Sequence, residues 1–164
     1  MSAKAAKEVK LLNILKEKFI NLCLESVNKD DVIAELVDII AQSKKLKNKK
    51  AFLKAILERE KLGSTGIGSG VAIPHSKTKF TSDFIIAFAR KDEGIDFGAL
   101  DGEKTYLFFL LASPENEIGG HLKILAEISR LVKDKFIVDL LRHAKDKKEI
   151  LKIIKSAEKP AIAQ

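Results

Sequence analysis

The sequence predicts a single α/β domain built on a mixed sheet, and three observations carry that prediction. Two strongly apolar runs, Phe84–Arg90 and Thr105–Ala112, have the length and composition of strands. The second is apolar on both faces, as expected of a central strand covered by helices on either side. Only 14 residues separate the two runs, among them Gly94, Gly98 and Gly102. That is short for a helical crossover, so the pair is expected to be antiparallel within an otherwise mixed sheet.

The remaining elements follow in chain order. Residues 5–17 have loose helical spacing through Val9, Leu12 and Leu15. Phe19–Leu24 reads as a strand, with Cys23 inside it and therefore in the core. Asn28 is placed to cap a helix whose apolar face is Val32, Ile33, Leu36, Val37 and Ile40. Asn48 caps a second helix, with Phe52, Leu53, Ile56 and Leu57 on one face, ending near Lys61. Val71–Ile73 is a short strand. After Gly119-Gly120 a helix is expected to about Lys133, with Leu122, Leu125, Ile128 and Val132 inward. Shorter helices are expected over Phe136–Arg142 and about Lys147–Lys155, and residues 156–164 as a frayed tail. The domain core is thus expected over about residues 8–155 of the 164.

Composition narrows the class. The chain has 164 residues, 46% hydrophobic and 32% charged, enough for one ordinary core. It has no apolar run of membrane-spanning length, and lysines interrupt the N-terminal segment where a signal peptide would need an apolar stretch. The single cysteine, Cys23, excludes an internal disulfide and a multi-thiolate zinc site. A reducing cytoplasm is the expected location. Net charge is +7, but its distribution argues against nucleic acid. Residues 1–62 carry net +5, residues 63–112 net −1 and residues 113–164 net +3. Lys44, Lys45, Lys47, Lys49 and Lys50 form a cluster without the interleaved aromatics that stack on bases, as solvated helix ends do.

The segment Arg59-Glu-Lys-Leu-Gly63-Ser-Thr-Gly66-Ile-Gly68-Ser-Gly70-Val-Ala-Ile-Pro74-His75 is the most specific in the chain. Four glycines within eight residues fit a tight turn or bulge, and also a loop whose amides approach a ligand closely. It is not a P-loop, because Ser69 stands where the lysine belongs. It is not a dinucleotide fingerprint, because Val71 and Ile73 fall where the third glycine is needed. Pro74 stiffens the approach to His75 and biases Ile73 to an extended conformation.

This string, with His121-Leu122-Lys123 and Ser129-Arg130-Leu131 downstream, resembles the enzyme IIA domain of the fructose–mannitol class of the bacterial phosphoenolpyruvate:sugar phosphotransferase system. That class includes the nitrogen-related enzyme IIA proteins. Gly94-Ile95-Asp96-Phe97 and Asp101-Gly102 also match, and the resemblance runs from about Leu11 to Ile154. It implies a three-layer α/β/α sandwich and a phosphotransferase with a phosphohistidine intermediate, needing no cofactor and no metal. The phosphoryl donor would be phosphorylated HPr and the acceptor an enzyme IIB, with the membrane reached only through a transporter complex.

On this resemblance His75 falls on the phosphoryl-carrying position. A neutral imidazole is a nitrogen nucleophile near pH 7, provided its other nitrogen keeps a proton held by an acceptor. His121 falls on the second active-site histidine. At a helix N-terminus its pKa should be low, and the first-turn amides beside it form an anion site. Arg59 matches the active-site arginine, where a guanidinium would neutralise phosphoryl charge. Thr65, Gly66 and Gly68 are candidates to line the same pocket. Ile67, Val71 and Ile118 are candidates for an apolar rim that meets HPr. His143 matches nothing in the family's site and suits a helix C-terminus. Two alternatives remain open: a nitrogen-type protein whose phosphorylation state regulates partner proteins, and a non-enzymatic binding module using the basic surface.

Overall fold

In the computed structural model, which describes residues 10–158, one six-stranded mixed sheet lies between two groups of helices, the three-layer sandwich the sequence implied. The strands are β1 (Ile20–Asn21), β2 (Gly66–Gly68), β3 (Val71–Ala72), β4 (His75–Thr78), β5 (Ile85–Ile95) and β6 (Thr105–Pro114). The helices are α1 (Leu11–Ile14), α2 (Lys29–Ile40), α3 (Lys49–Lys61), α4 (Ile118–Lys133), α5 (Lys135–His143) and α6 (Lys147–Ala157). Sheet order is β1-β5-β6-β3-β2, and β4 also pairs with β6. Helices α2 and α3 pack on each other and reach β5 and β4. Helices α4 and α5 pack against β6, with α6 and α1 joined to them.

β5 and β6 pair antiparallel from Ile85↔Ala112 to Arg90↔Leu107, as the short glycine-bearing connection required. Leu107–Ala112 are essentially inaccessible, so β6 is the buried centre of the sheet. Phe109 meets Phe88 edge-on with ring centroids 5.0 Å apart, and Phe108 meets Phe97 at 5.5 Å. Truncating so buried a ring removes transfer energy and leaves a cavity. Phe109→Ala is expected to cost about 3–5 kcal/mol, lowering Tm by roughly 10 °C in a thermal melt.

β3 and β4 share one register along β6. Val71 pairs with Leu107 and His75 with Leu111, the same offset on both sides of Ile73-Pro74. They are one parallel strand interrupted where Pro74 has no N–H to give, while its carbonyl still accepts from the Leu111 amide at 3.0 Å. The expected strand over Val71–Ile73 therefore continues to Thr78. Its second half, His-Ser-Lys-Thr, is polar and carries no apolar signal.

Both asparagine caps form: Asn28 accepts from the Asp31 amide and Asn48 from the Ala51 amide. Five expectations are corrected. The helix over residues 5–17 is reduced to α1 and a 3₁₀ turn at Glu17–Phe19, because Leu15 and Lys16 are extended; residues 5–9 lie outside the described residues. The strand over Phe19–Leu24 keeps only Ile20–Asn21, since the Asn21 side chain accepts from the Cys23 amide at 2.9 Å and turns the chain outward. Cys23 is accordingly exposed and not in the core. On α4, Leu122 is 60% exposed, and the inward face is His121, Ile124, Ile128, Leu131 and Val132. Finally, Ser156 and Ala157 belong to α6, while the rest of the expected tail, beyond Glu158, lies outside the described residues.

Candidate active site

His75 opens β4, and the constraint that orients it is local. Its Nδ1 lies 2.6 Å from the Ile73 carbonyl oxygen. A carbonyl only accepts, so Nδ1 carries the proton and Nε2 keeps its lone pair. The ring is half-buried beside Pro74, and its pKa is below the ordinary value. Burial is the main cause; the Ile73 bond opposes it, the Arg59 charge adds to it and the Glu60 charge opposes it. The imidazole is thus neutral at pH 7.

His121 faces His75, ring centroids 5.5 Å apart with planes tilted by 54°. It sits in the opening turns of α4, whose N-cap residue Glu117 supplies no side-chain cap. The first-turn amides of Ile118, Gly119 and Gly120 therefore have no intrahelical partner. A Cβ at Gly120 would lie 2.5 Å from Phe84 Cζ, so a larger residue there would force the Phe84 ring to move. His121 Nδ1 lies 2.7 Å from the hydroxyl of Ser113, which is fully buried near the end of β6. Among the described residues His121 is the side-chain partner of that hydroxyl; with the hydroxyl donating to Nδ1, the ring proton lies on Nε2. Ser113 is the residue that sequence reasoning missed. It is a lone serine at the end of an apolar strand, and only the fold brings it under His121.

The His121 pKa is lowered to about 4, first by burial and then by the neighbouring charges of His75 and Lys77. The expected low value is present, but desolvation is its leading cause. Unfolded, the ring would titrate near 6.5, so between about 6.5 and 4 the unfolded chain binds a proton that the folded chain refuses. Stability should therefore fall as pH drops through that window, with His75 contributing in the same direction. Tm measured from pH 7 to pH 4.5 is expected to decline, and to decline less in His121→Asn.

Arg59 and Glu60 are successive residues in the last turn of α3 and point apart. Arg59 is half-exposed, donates from one terminal nitrogen to the Gly63 carbonyl at 3.0 Å, and is close enough to His75 to depress its pKa. Glu60 is buried. Its carboxylate accepts from the Thr65 amide at 3.2 Å and from the Thr65 hydroxyl, and pairs with Lys29 Nζ at 2.8 Å.

Arg59, His75 and His121 are thus brought together. The three glycine-loop candidates are placed differently. Thr65 is 4% exposed with both its donors committed to Glu60. The Gly66 amide is taken by the Ser64 hydroxyl at 3.0 Å. Gly68 lies at the β2–β3 hairpin, at φ 91°, against the Asp101 carboxylate. Along β6 that hairpin stands four residues from the level of His75, about 13 Å. Of the apolar rim, Ile67 and Ile118 are exposed, but Val71 is wholly buried and Leu122 is exposed in its stead. His143 ends α5, as its sequence context suggested, with Nδ1 2.9 Å from the Asp139 carbonyl. No group of metal-ligating side chains occurs among the described residues, and no described helix is long and apolar enough to cross a membrane.

A family model described as the phosphoenolpyruvate-dependent sugar phosphotransferase system, EIIA 2, matches residues 13–157. The fructose-specific EIIABC component of the phosphotransferase system from Bacillus subtilis is 37% identical over 151 residues. That match takes in 92% of this chain but only 24% of the relative, so the chain spans about a quarter of its length. A nitrogen regulatory protein from Bradyrhizobium diazoefficiens is 43% identical over 107 residues, 65% of this chain and 70% of that one. The crystal structure of nitrogen regulatory protein IIA-Ntr from Neisseria meningitidis superposes with a TM-score of 0.82 at 32% identity, covering 88% of this chain and 98% of that one. The chain belongs to the EIIA 2 family of the phosphoenolpyruvate-dependent sugar phosphotransferase system, whose members are phosphotransferases working through a phosphohistidine.

Proposed function

We propose that the chain takes a phosphoryl group from phosphorylated HPr onto His75 Nε2 and passes it to an enzyme IIB in the cytoplasm. The observation that carries this is the 2.6 Å contact between Nδ1 and the Ile73 carbonyl, which leaves Nε2 as the free nucleophile. The Nε2 lone pair attacks phosphorus in line, and the bond from phosphorus to the donor breaks with its electron pair leaving on the donor. No proton has to move, because Nε2 carries none. The phosphorylated ring gains positive character, which strengthens the Nδ1–H bond to Ile73. Charge spread over the transferring oxygens is met by Arg59, by the Nε2–H of His121 and by the open amides of α4. Thr65, Gly66 and Gly68 serve by shaping the loop: Glu60 holds the Thr65 donors, Ser64 holds the Gly66 amide, and Gly68 turns the β2–β3 hairpin. HPr would dock across the exposed side chains of Ile118 and Leu122 that flank His121.

A second role on the same chemistry has specific support. The similarity to the Neisseria nitrogen regulatory structure and to the Bradyrhizobium protein favours a protein whose phosphorylation state is read by regulatory partners. The basic-surface alternative has less in its favour. Within the lysine cluster, Lys45 pairs with Asp83 at 2.6 Å and Lys49 pairs with Asp38, so part of that charge is internally compensated.

Incubation with phosphoenolpyruvate, enzyme I and HPr, read by intact mass, tests the proposal. One acid-labile phosphoryl group on the wild type is expected. No gain while HPr itself is phosphorylated would overturn the relay.

A further inference from the structure

Behind His75 a series of hydrogen bonds, linked through the backbone of Thr65 and Ile73, runs to a buried ion pair that the phosphoryl chemistry above does not use. It starts at Lys29, the first residue of α2, whose ammonium lies 2.8 Å from Glu60 Oε2 and 4.7 Å above the Phe97 ring. Glu60, on the last turn of α3, is 4% exposed in its side chain and accepts both the amide and the hydroxyl of Thr65. The Thr65 carbonyl accepts from the Ile73 amide at 3.0 Å. The Ile73 carbonyl accepts from His75 Nδ1 at 2.6 Å. Three elements and the glycine loop are thus tied to one ring nitrogen.

A buried carboxylate is costly unless it is paired and its lone pairs are filled. Here an ammonium, an amide and a hydroxyl fill them, so the arrangement is a stiff clamp on Thr65. Thr65 and Ile73 are partners across the start of the glycine hairpin, so fixing one fixes the other. Ile73 precedes Pro74, which already restricts its backbone. The remaining freedom is the direction of the Ile73 carbonyl, and that direction selects the His75 tautomer.

We propose that Glu60, braced by Lys29, is a positioning residue that acts through Thr65 and Ile73 to hold the proton on His75 Nδ1 and keep Nε2 free. The proposal rests on His75 being the phosphoryl acceptor for its consequence in turnover, but not for its effect on the ring itself. The Glu60 charge also opposes the fall in the His75 pKa, which places the carboxylate electrostatically near the ring it would govern.

The test uses the full chain with ¹⁵N-labelled histidine, at a pH where the ring is neutral. In the wild type the ring ¹⁵N shifts of His75 should report one tautomer, protonated at Nδ1. Glu60→Gln removes the charge, and Thr65→Val removes the hydroxyl bond while keeping the amide. In folded Glu60→Gln the Nε2–H tautomer should become populated, and the rate of phosphorylation by phospho-HPr should drop about tenfold, the scale of one lost charge-assisted hydrogen bond. Thr65→Val should show the same change to a smaller degree, and decides the matter if Glu60→Gln fails to fold. If the variants fold with His75 shifts and rate unchanged, the clamp is merely structural and the proposal is overturned. Continued phosphorylation of His75→Ala would defeat the carrier role alone, leaving the tautomer result to stand or fall separately.

Discussion

His75→Ala is expected to take up no phosphoryl group from phospho-HPr while keeping the fold of the wild type. The loss should be complete, because the substitution removes the only lone pair at the site held free of a proton by a backbone acceptor. His121 does not replace it. Its Nδ1 is engaged by Ser113, and with that hydroxyl as donor its Nε2 carries the hydrogen and offers a donor where a nucleophile is needed. The fold should survive, since His75 is half-buried on β4, whose pairing with β6 is made by the backbone. Intact-mass analysis after incubation with the donor system, beside a circular-dichroism melt, measures both halves of this expectation.

His121→Ala should behave differently. The acceptor remains, so phosphorylation reaches the same end point, but more slowly by about 10²–10³-fold, the usual cost of removing one preorganised donor from a developing anion. The structural argument is that His121 is held on two sides. Its backbone is fixed in the opening turns of α4, and its ring is pinned by the buried Ser113 hydroxyl. A donor so fixed needs no reorganisation when charge develops. An unchanged single-turnover rate would show that His121 is a packing residue of α4 and nothing more.

Much of this was legible in the sequence. The central position of Thr105–Ala112, its antiparallel pairing with the preceding strand and the asparagine caps of α2 and α3 depend on local pattern, and local pattern is what a sequence displays. His75, His121 and Arg59 stood out because a specific string of residues surrounds them. What escaped is tertiary in origin. β4 is a strand because it continues the β3 register along β6, although its own residues are polar. Leu122 looked inward because its spacing to Leu125 and Ile128 is helical; the face is turned so that His121 can enter toward Ser113, and a polar residue on an inward face gives no hydrophobic signal. Cys23 left the core because one asparagine side chain bends the strand before it. Thr65 looked like a ligand-facing residue, and nothing in the sequence marked Glu60 as its buried partner. Their mutual burial follows only from the return of the loop onto the end of α3.

The central claim is that Nε2 of His75 is the phosphorylated atom, and the most direct measurement is the ¹⁵N spectrum of the phosphorylated, ¹⁵N-histidine-labelled chain with its phosphorus coupling. Coupling to Nε2 of His75, with the hydrogen retained on Nδ1, is the predicted result. Phosphorus coupled to Nδ1 of His75, or to any nitrogen of His121, would contradict the account.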